Sequence, residues 1–167
     1  GTLAVLMSIF YIYGIPSEAI QNLISNYVSK FNLKNEDGKI KFLMLKSLRK
    51  SFQISIIFFI ILSVLSIFMA DFLKISIWFI LFINLFIFLS FSLPIIRGVL
   101  QGRKKFGLLG MGMIFEAMLK LGAAILLVRL SFGVFGAIWG MMFGILVGFA
   151  ISLEFNRKIL NSVEVKS

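Results

Sequence analysis

Five apolar stretches, each close to the length of a membrane-spanning helix, restrict what this chain can fold into. A helix needs about 20 predominantly apolar residues to cross a hydrocarbon layer of about 30 Å, because it rises about 1.5 Å per residue. The stretches run from about Leu3 to Val28, Ser51 to Ala70, Ile75 to Ile96, Phe106 to Leu130 and Val134 to Leu153. The sequence therefore predicts an all-α integral membrane bundle of five transmembrane helices, with residues 1–167 forming a single transmembrane domain.

The composition supports lipid as the solvent. Hydrophobic residues make up 60% of the chain and charged residues only 14%, whereas a soluble domain carries about a quarter charged residues. Membrane lipids are therefore expected partners. Because the chain has no Cys and no His, disulfides, thiolate nucleophiles and zinc sites built on those ligands are excluded. We expect no cofactor, no metal and no catalytic residue.

The basic residues predict the orientation in the membrane. The formal net charge of +10 would suit nucleic acid, but the Lys and Arg residues flank apolar runs, so we expect no nucleic-acid partner. Fourteen of the 17 lie in residues 29–50, residues 97–105 and the C-terminal tail, against Lys74 and Arg129 on the opposite side. Because basic loops stay in the cytoplasm, these three segments are predicted to be cytoplasmic, in a multi-pass protein of the cell membrane.

Residues 29–50 are predicted to be the one long polar connection. Their second half has apolar residues at near-helical spacing, which indicates a helix that enters the membrane through the lipid headgroups. The chain starts inside an apolar run, without a basic segment before it. We therefore expect an internal fragment of a longer protein.

The cytoplasmic half of the first predicted helix carries a polar stripe. At 100° per residue, Glu18, Gln21, Asn22 and Ser25 fall within roughly a 100° arc. Such groups turn toward protein or a water-filled cavity, because an unsatisfied polar group in hydrocarbon costs several kcal/mol. The alternative is that this half protrudes into the cytoplasm as an amphipathic helix.

The fourth predicted helix contains an acid and a base four residues apart, Glu116 and Lys120. Glu116 follows Lys105 by 11 residues, about 16 Å along a helix, which puts it near the membrane midplane. Glu18 has a similar predicted depth, so a shared cavity is expected. One hypothesis is a site for a coupling ion or an anionic headgroup. The other is a self-neutralising pair that holds the helix against a neighbour.

Glycines recur with a spacing of four in the fifth predicted helix, at Gly136, Gly140, Gly144 and Gly148. This spacing is typical of a face on which another helix approaches closely, so we interpret it as helix packing.

Pro16 and Pro94 lie inside predicted helices, where each removes a backbone hydrogen bond and favours a kink. Whether those kinks serve transport is open, because Pro is also frequent in spanning helices without any such role.

Four short motifs occur in an order that resembles a known transporter family. They are Gly14–Ser17 followed by Ala19, Arg97–Gly102 followed by Phe106–Leu109, Glu116 with Lys120, and Gly133–Ala137. With them, the chain resembles the polysaccharide (lipid-linked oligosaccharide) flippases of the multidrug/oligosaccharidyl-lipid/polysaccharide exporter superfamily. The family usually has Arg at the position of Lys120, which puts a bidentate contact there in doubt.

The resemblance implies a fold and a function. The five helices would correspond to the second through sixth of the family's first six-helix lobe, and the remaining helices of the full-length transporter would be partners. The expected activity is the flipping of a polyprenyl-diphosphate-linked saccharide by alternating access. The predicted cavity for the substrate or the coupling ion comprises Glu18, Gln21, Asn22, Ser25, Arg97, Glu116 and Lys120.

Three rival functions remain open at this point. A multidrug or toxin antiporter of the same superfamily would share the fold. An integral membrane enzyme would need clustered acids, whereas the seven Asp and Glu residues are scattered. A membrane scaffold would use the glycine face for assembly, but the polar stripe argues against it.

Overall fold

The computed structural model describes the backbone of residues 2–73 and 77–164. Side chains are described for residues 17–67, 77, 80, 81, 83–133, 135–158 and 161. Within these ranges the chain is helical and has no strand, which confirms the predicted all-α class. The helices are α1 (Thr2–Leu33), α2 (Asp37–Leu73), α3 (Ile77–Asn84), α4 (Ile87–Gly102), α5 (Phe106–Leu127) and α6 (Gly133–Glu164), with a π-helical turn at Val128–Phe132 between the last two.

Two tight turns join α1 to α2 and α4 to α5. In each, one residue adopts a left-handed conformation, Asn35 (φ 56°) in the first turn and Lys104 (φ 58°) in the second. In each, a backbone N–H just beyond that residue donates to a carbonyl in the last helical turn: Glu36 to Phe31 at 3.0 Å and Lys105 to Leu100 at 3.0 Å. This is the hydrogen-bond pattern with which helices commonly end.

Helices α1 and α4 pack backbone to backbone through two glycines of α4. A Cβ built on Gly98 would lie 2.7 Å from the Gln21 carbonyl oxygen, and one on Gly102 would lie 2.6 Å from the Ser25 carbonyl oxygen. No larger residue fits at such a contact, which is the close approach that a pair of small residues four apart permits. The Arg97–Gly102 motif therefore includes a packing surface.

Helix α2 packs on α3 and α4 through a row of polar side chains. Ser51 Oγ lies 3.4 Å from Ser92 Oγ, and Ser55 Oγ is 3.5 Å from the Ile87 carbonyl oxygen. Farther along, Asn84 donates to Ser66 Oγ at 2.8 Å. Small hydroxyls allow close helix contact and satisfy one another where no water is present.

Helices α5 and α6 form an antiparallel pair. The chain reverses direction at Leu130–Gly133, where Ser131 (φ 69°) and Gly133 (φ 54°) adopt left-handed conformations. Gly136, Gly140, Gly144 and Gly148 of α6 then meet α5 in succession, at Leu127, Ala124, Lys120 and Glu116. Each glycine lacks the Cβ that would overlap α5, so the two backbones come into contact.

Three helical segments are long and apolar enough to cross a membrane: Asp37–Ile67, Phe106–Phe132 and Phe135–Lys158. Only 11% of the apolar window of Phe106–Phe132 is buried inside the bundle, so lipid or further protein must cover this surface. The first predicted span, 3–28, begins among residues whose side chains lie outside the described part of the chain. The five-span arrangement stays a prediction.

Several predicted boundaries were wrong. The helix predicted in the second half of residues 29–50 is confirmed, but the first half is not a long connection, because α1 continues to Leu33 and α2 begins at Asp37. The cause is burial: Ile40 and Met44 of α2 join Val28 of α1 in a hydrophobic cluster, and a helix presents those residues to the core. Val99 of α4 belongs to the same hydrophobic cluster. Arg97–Gly102 is therefore the end of a helix rather than a loop.

The predicted third and fifth helices also differ from the structure. The segment 75–96 is divided into α3 and α4 by a tight turn, in which Phe86 donates to the Ile83 carbonyl oxygen at 2.9 Å. Beyond the predicted end at Leu153, α6 continues to Glu164. Asn156 anchors this extension by donating to the Ile96 carbonyl oxygen of α4 at 3.0 Å.

The structure describes the side chain of Pro94 but not that of Pro16. Helix α4 continues through Pro94, which is buried. The α1 backbone is helical on both sides of Pro16, whose side chain lies outside the described residues. The kink at Pro16 stays a prediction.

Candidate functional site

Glu116 is the most deeply buried acid of the described chain, with 4% of its surface exposed. It lies on α5 ten residues after Phe106, so it is about 15 Å from the start of that helix. Gly148 of α6 makes room for its side chain, since a Cβ there would lie 2.8 Å from Glu116 Cγ. The glycine face therefore positions this carboxylate as well as the two helices.

Two cations from different helices pair with this carboxylate. Arg97 of α4 pairs with Oε2 through Nη2, and Lys120 of α5 pairs with Oε1 through Nζ. We call Arg97, Glu116 and Lys120 the charge cluster. Its formal net charge is +1, so it holds one more positive charge than its own carboxylate neutralises.

Within the charge cluster, Glu116 is buried and Lys120 is more exposed. The side chains of Arg97 and Lys120 are 15% and 34% exposed, against 6% for that of Glu116. Arg97 Nε is buried and has no hydrogen-bond partner among the described residues. The exposed side of Lys120 can therefore accept a further anionic group.

The polar stripe of α1 divides between two environments. Gln21 donates to Gln101 Oε1 of α4 at 2.8 Å, and the Ser25 backbone lies against Gly102. Glu18 and Asn22 are exposed. Lipid is a poor partner for such groups, so this face of α1 requires water or another polar surface.

Glu18 lies at a depth similar to that of Glu116 but does not join the charge cluster. It is ten residues from Val28, which contacts Gly102 at the end of α4, so both acids are about 15 Å from the same level. The ion pairs of Glu116 run to Arg97 and Lys120, whereas Glu18 is exposed on α1. The structure thus brings together three of the predicted cavity residues, and the cavity that Glu18 would share with them stays a prediction.

Sequence reasoning missed the partnership between Arg97 and Glu116. A signal was present: Arg97 is about 8 Å along α4 from Gly102, and an arginine side chain can span the remaining height to Glu116. A buried charge also needs a partner within reach. The intrahelical spacing of Glu116 and Lys120 predicts only one of the two partners of Glu116.

A second interhelical ion pair was also missed. Arg103, at the end of α4, pairs with Asp37 in the first turn of α2, and the Arg103 side chain is only 6% exposed. This pair links the α1–α2 turn to the α4–α5 turn. Because Asn156 of α6 contacts Ile96 of α4, the three basic segments lie toward the same end of the bundle.

Comparison of the chain with protein-family models, curated proteins and solved structures gave no match. The similarity to polysaccharide flippases therefore rests on the four sequence motifs alone.

Proposed function

We propose that this chain is part of a membrane transporter that flips polyprenyl-diphosphate-linked oligosaccharide or polysaccharide precursors by alternating access. The observation that carries the proposal is the charge cluster, about 15 Å from the basic end of an apolar bundle. Charges at that depth are expensive and are rarely kept without a role in transport or binding. The motif resemblance gives the cargo class.

The sign of the charge supports an anionic cargo. The charge cluster as a whole keeps a net charge of +1, and its more exposed cation, Lys120, is the one that a phosphate group can approach. Lys acts there as a point charge rather than as a bidentate ligand. The exposed polar face of α1, which includes Glu18 and Asn22, would line the path of the saccharide.

A cation-coupled drug antiporter is the second candidate. Glu18 favours it, because an exposed acid at the depth of the charge cluster could bind a proton or a cation. Glu116 is less suited to that role, since both its oxygens already pair with cations. The flippase proposal therefore depends on Lys120, whereas the antiporter alternative depends on Glu18.

The test is headgroup translocation in liposomes that contain the full-length transporter. Lys120→Met should reduce the flipping of a polyprenyl-diphosphate saccharide at least tenfold, whereas Lys120→Arg, which retains the charge, should preserve most of it. Thermal stability in detergent shows whether each variant is folded. The matched control is Lys158→Met, which removes the base of an exposed i,i+4 pair on α6.

The outcomes separate the candidates. Wild-type flipping by folded Lys120→Met would contradict the proposal. Uptake of a cationic dye that depends on Glu18, together with no flipping of the saccharide lipid, would favour the antiporter instead.

A further inference from the structure

The first half of α2 leaves large apolar side chains outside the protein core. Ile40 and Met44 of this segment are buried against α1 and α4. Phe42 and Leu45, on the other side of the same turns, are 65% and 54% exposed. The internal packing of the bundle does not use them.

Two cations share this exposed face. Phe42, Leu45, Lys46 and Arg49 line a shallow groove of about 490 Å³. Their spacing of three, four and seven residues from Phe42 places them on one side of the helix. Lys46 Nζ lies 5.5 Å from the centre of the Phe42 ring, so the groove combines apolar surface with positive charge.

The acids near the start of α2 do not neutralise these cations. Glu36 pairs with Lys39 at 2.8 Å, and Asp37 pairs with Arg103. Lys46 and Arg49 therefore keep their attraction for an anion from outside the chain.

The groove continues directly into the apolar surface of α2. Phe52, Ile56 and Ile60 follow at helical spacing on the same side, and they are 56%, 40% and 57% exposed. Arg49 thus lies within one helical turn of the apolar surface. A ligand that fills both parts needs an anionic head and a long apolar tail.

We propose that this groove is a binding site for one anionic phospholipid. Its phosphate lies against Lys46 and Arg49, and its acyl chains follow the surface from Phe52 to Ile60. Lys and Arg next to a membrane span attract anionic headgroups in this way. An acidic protein segment would match the two cations but not the apolar surface that continues into the membrane. The proposal does not depend on the transported cargo.

Native mass spectrometry of the full-length protein tests the site. The protein is released from mixed micelles of phosphatidylglycerol and phosphatidylcholine, and the retained lipids are counted. Wild-type protein should retain phosphatidylglycerol preferentially. Because each basic side chain contributes about fivefold to binding at an anionic surface, Lys46→Gln/Arg49→Gln should weaken binding about twenty-fivefold.

Two further variants control for charge and for folding. Lys34→Gln/Lys105→Gln removes two exposed cations from turns at the same end and should leave the preference unchanged. Lys46→Arg/Arg49→Lys retains both charges and should also bind.

Three results would overturn the proposal. One is an undiminished preference in folded Lys46→Gln/Arg49→Gln. Another is an equal loss in the turn variant, which would show diffuse attraction. The third is binding of a poly-glutamate peptide without preference for phosphatidylglycerol, which would assign the groove to a protein partner.

Discussion

Glu116 illustrates how a single residue can make an apolar bundle depend on charge. The carboxylate is buried between α5 and α6, and it compensates cations from two helices. Removing one partner of a buried ion pair costs more than the pair itself contributes, because the remaining charge stays buried. Removing the acid leaves both Arg97 and Lys120 unpaired, whereas removing Lys120 leaves Glu116 paired with Arg97.

We predict that Glu116→Gln lowers the free energy of unfolding by roughly 3 kcal/mol, the lower end for a broken buried pair because Lys120 is partly exposed. Lys120→Met should cost less. Melting temperatures in detergent measure both. The control is Glu154→Gln, which removes the acid of an exposed pair with a 3.8 Å separation and should change stability by less than about 1 kcal/mol. Equal effects of Glu116→Gln and Glu154→Gln would contradict the assignment.

At this scale the sequence identified the right residue types but not all of their partners. The spacing of Glu116 and Lys120 predicted a pair, because residues four apart meet on a helix. The pairing of Arg97 with Glu116, and of Arg103 with Asp37, depends on which helices are neighbours. Hydrophobic periodicity does not contain that information.

Glycines set the spacing between helices at two contacts, α1 with α4 and α5 with α6. The regular spacing of the α6 glycines indicated a packing face, and the structure supplies its neighbour, α5. The sequence does not predict the contact that Gly98 and Gly102 make with α1, because these two glycines do not form a longer series spaced by four. Spacing shows that a helix has a close-contact face, and only the fold shows what lies against it.

We predict that Gly140→Ala lowers the free energy of unfolding by roughly 1–3 kcal/mol, because its Cβ would overlap the Ala124 backbone and force the helices apart. Gly122→Ala on α5 is the matched control. A Cβ there meets nothing within 4 Å, so this substitution should leave stability unchanged or raise it by up to about 1 kcal/mol. Thermal unfolding in detergent measures both variants. A Gly140→Ala protein as stable as wild type would show that α5 and α6 are not in backbone contact.

Helix ends were harder to predict than helix existence. Apolar length located α2, α5 and α6, because lipid requires long uninterrupted helices. The ends were misplaced where polar or charged segments stay helical, as at the end of α1, which continues to Leu33, and the end of α4, which continues to Gly102. The extension of α6 depends on the contact of Asn156 with α4, which is a tertiary effect.

At the scale of the whole molecule, three helical segments are long and apolar enough to cross a membrane, and the predicted orientation depends on where the basic segments lie. Exposed apolar side chains cover α2 and α5, and the three basic segments lie toward one end. The α5–α6 turn lies at the other end, one α5 length away from Lys105. The transport proposal, the lipid site and the depth of Glu116 all depend on this arrangement in a bilayer.

Single-cysteine labelling tests that arrangement most directly, since the chain has no native Cys. Lys34, Lys105 and Phe132 are exposed and lie outside the left-handed turn positions, so Cys is tolerated there. In sealed cells, the account predicts that a membrane-impermeant maleimide labels Phe132→Cys from outside. Lys34→Cys and Lys105→Cys should react only after the cytoplasmic side is opened. Labelling of Lys105→Cys and Phe132→Cys from the same side would contradict the account.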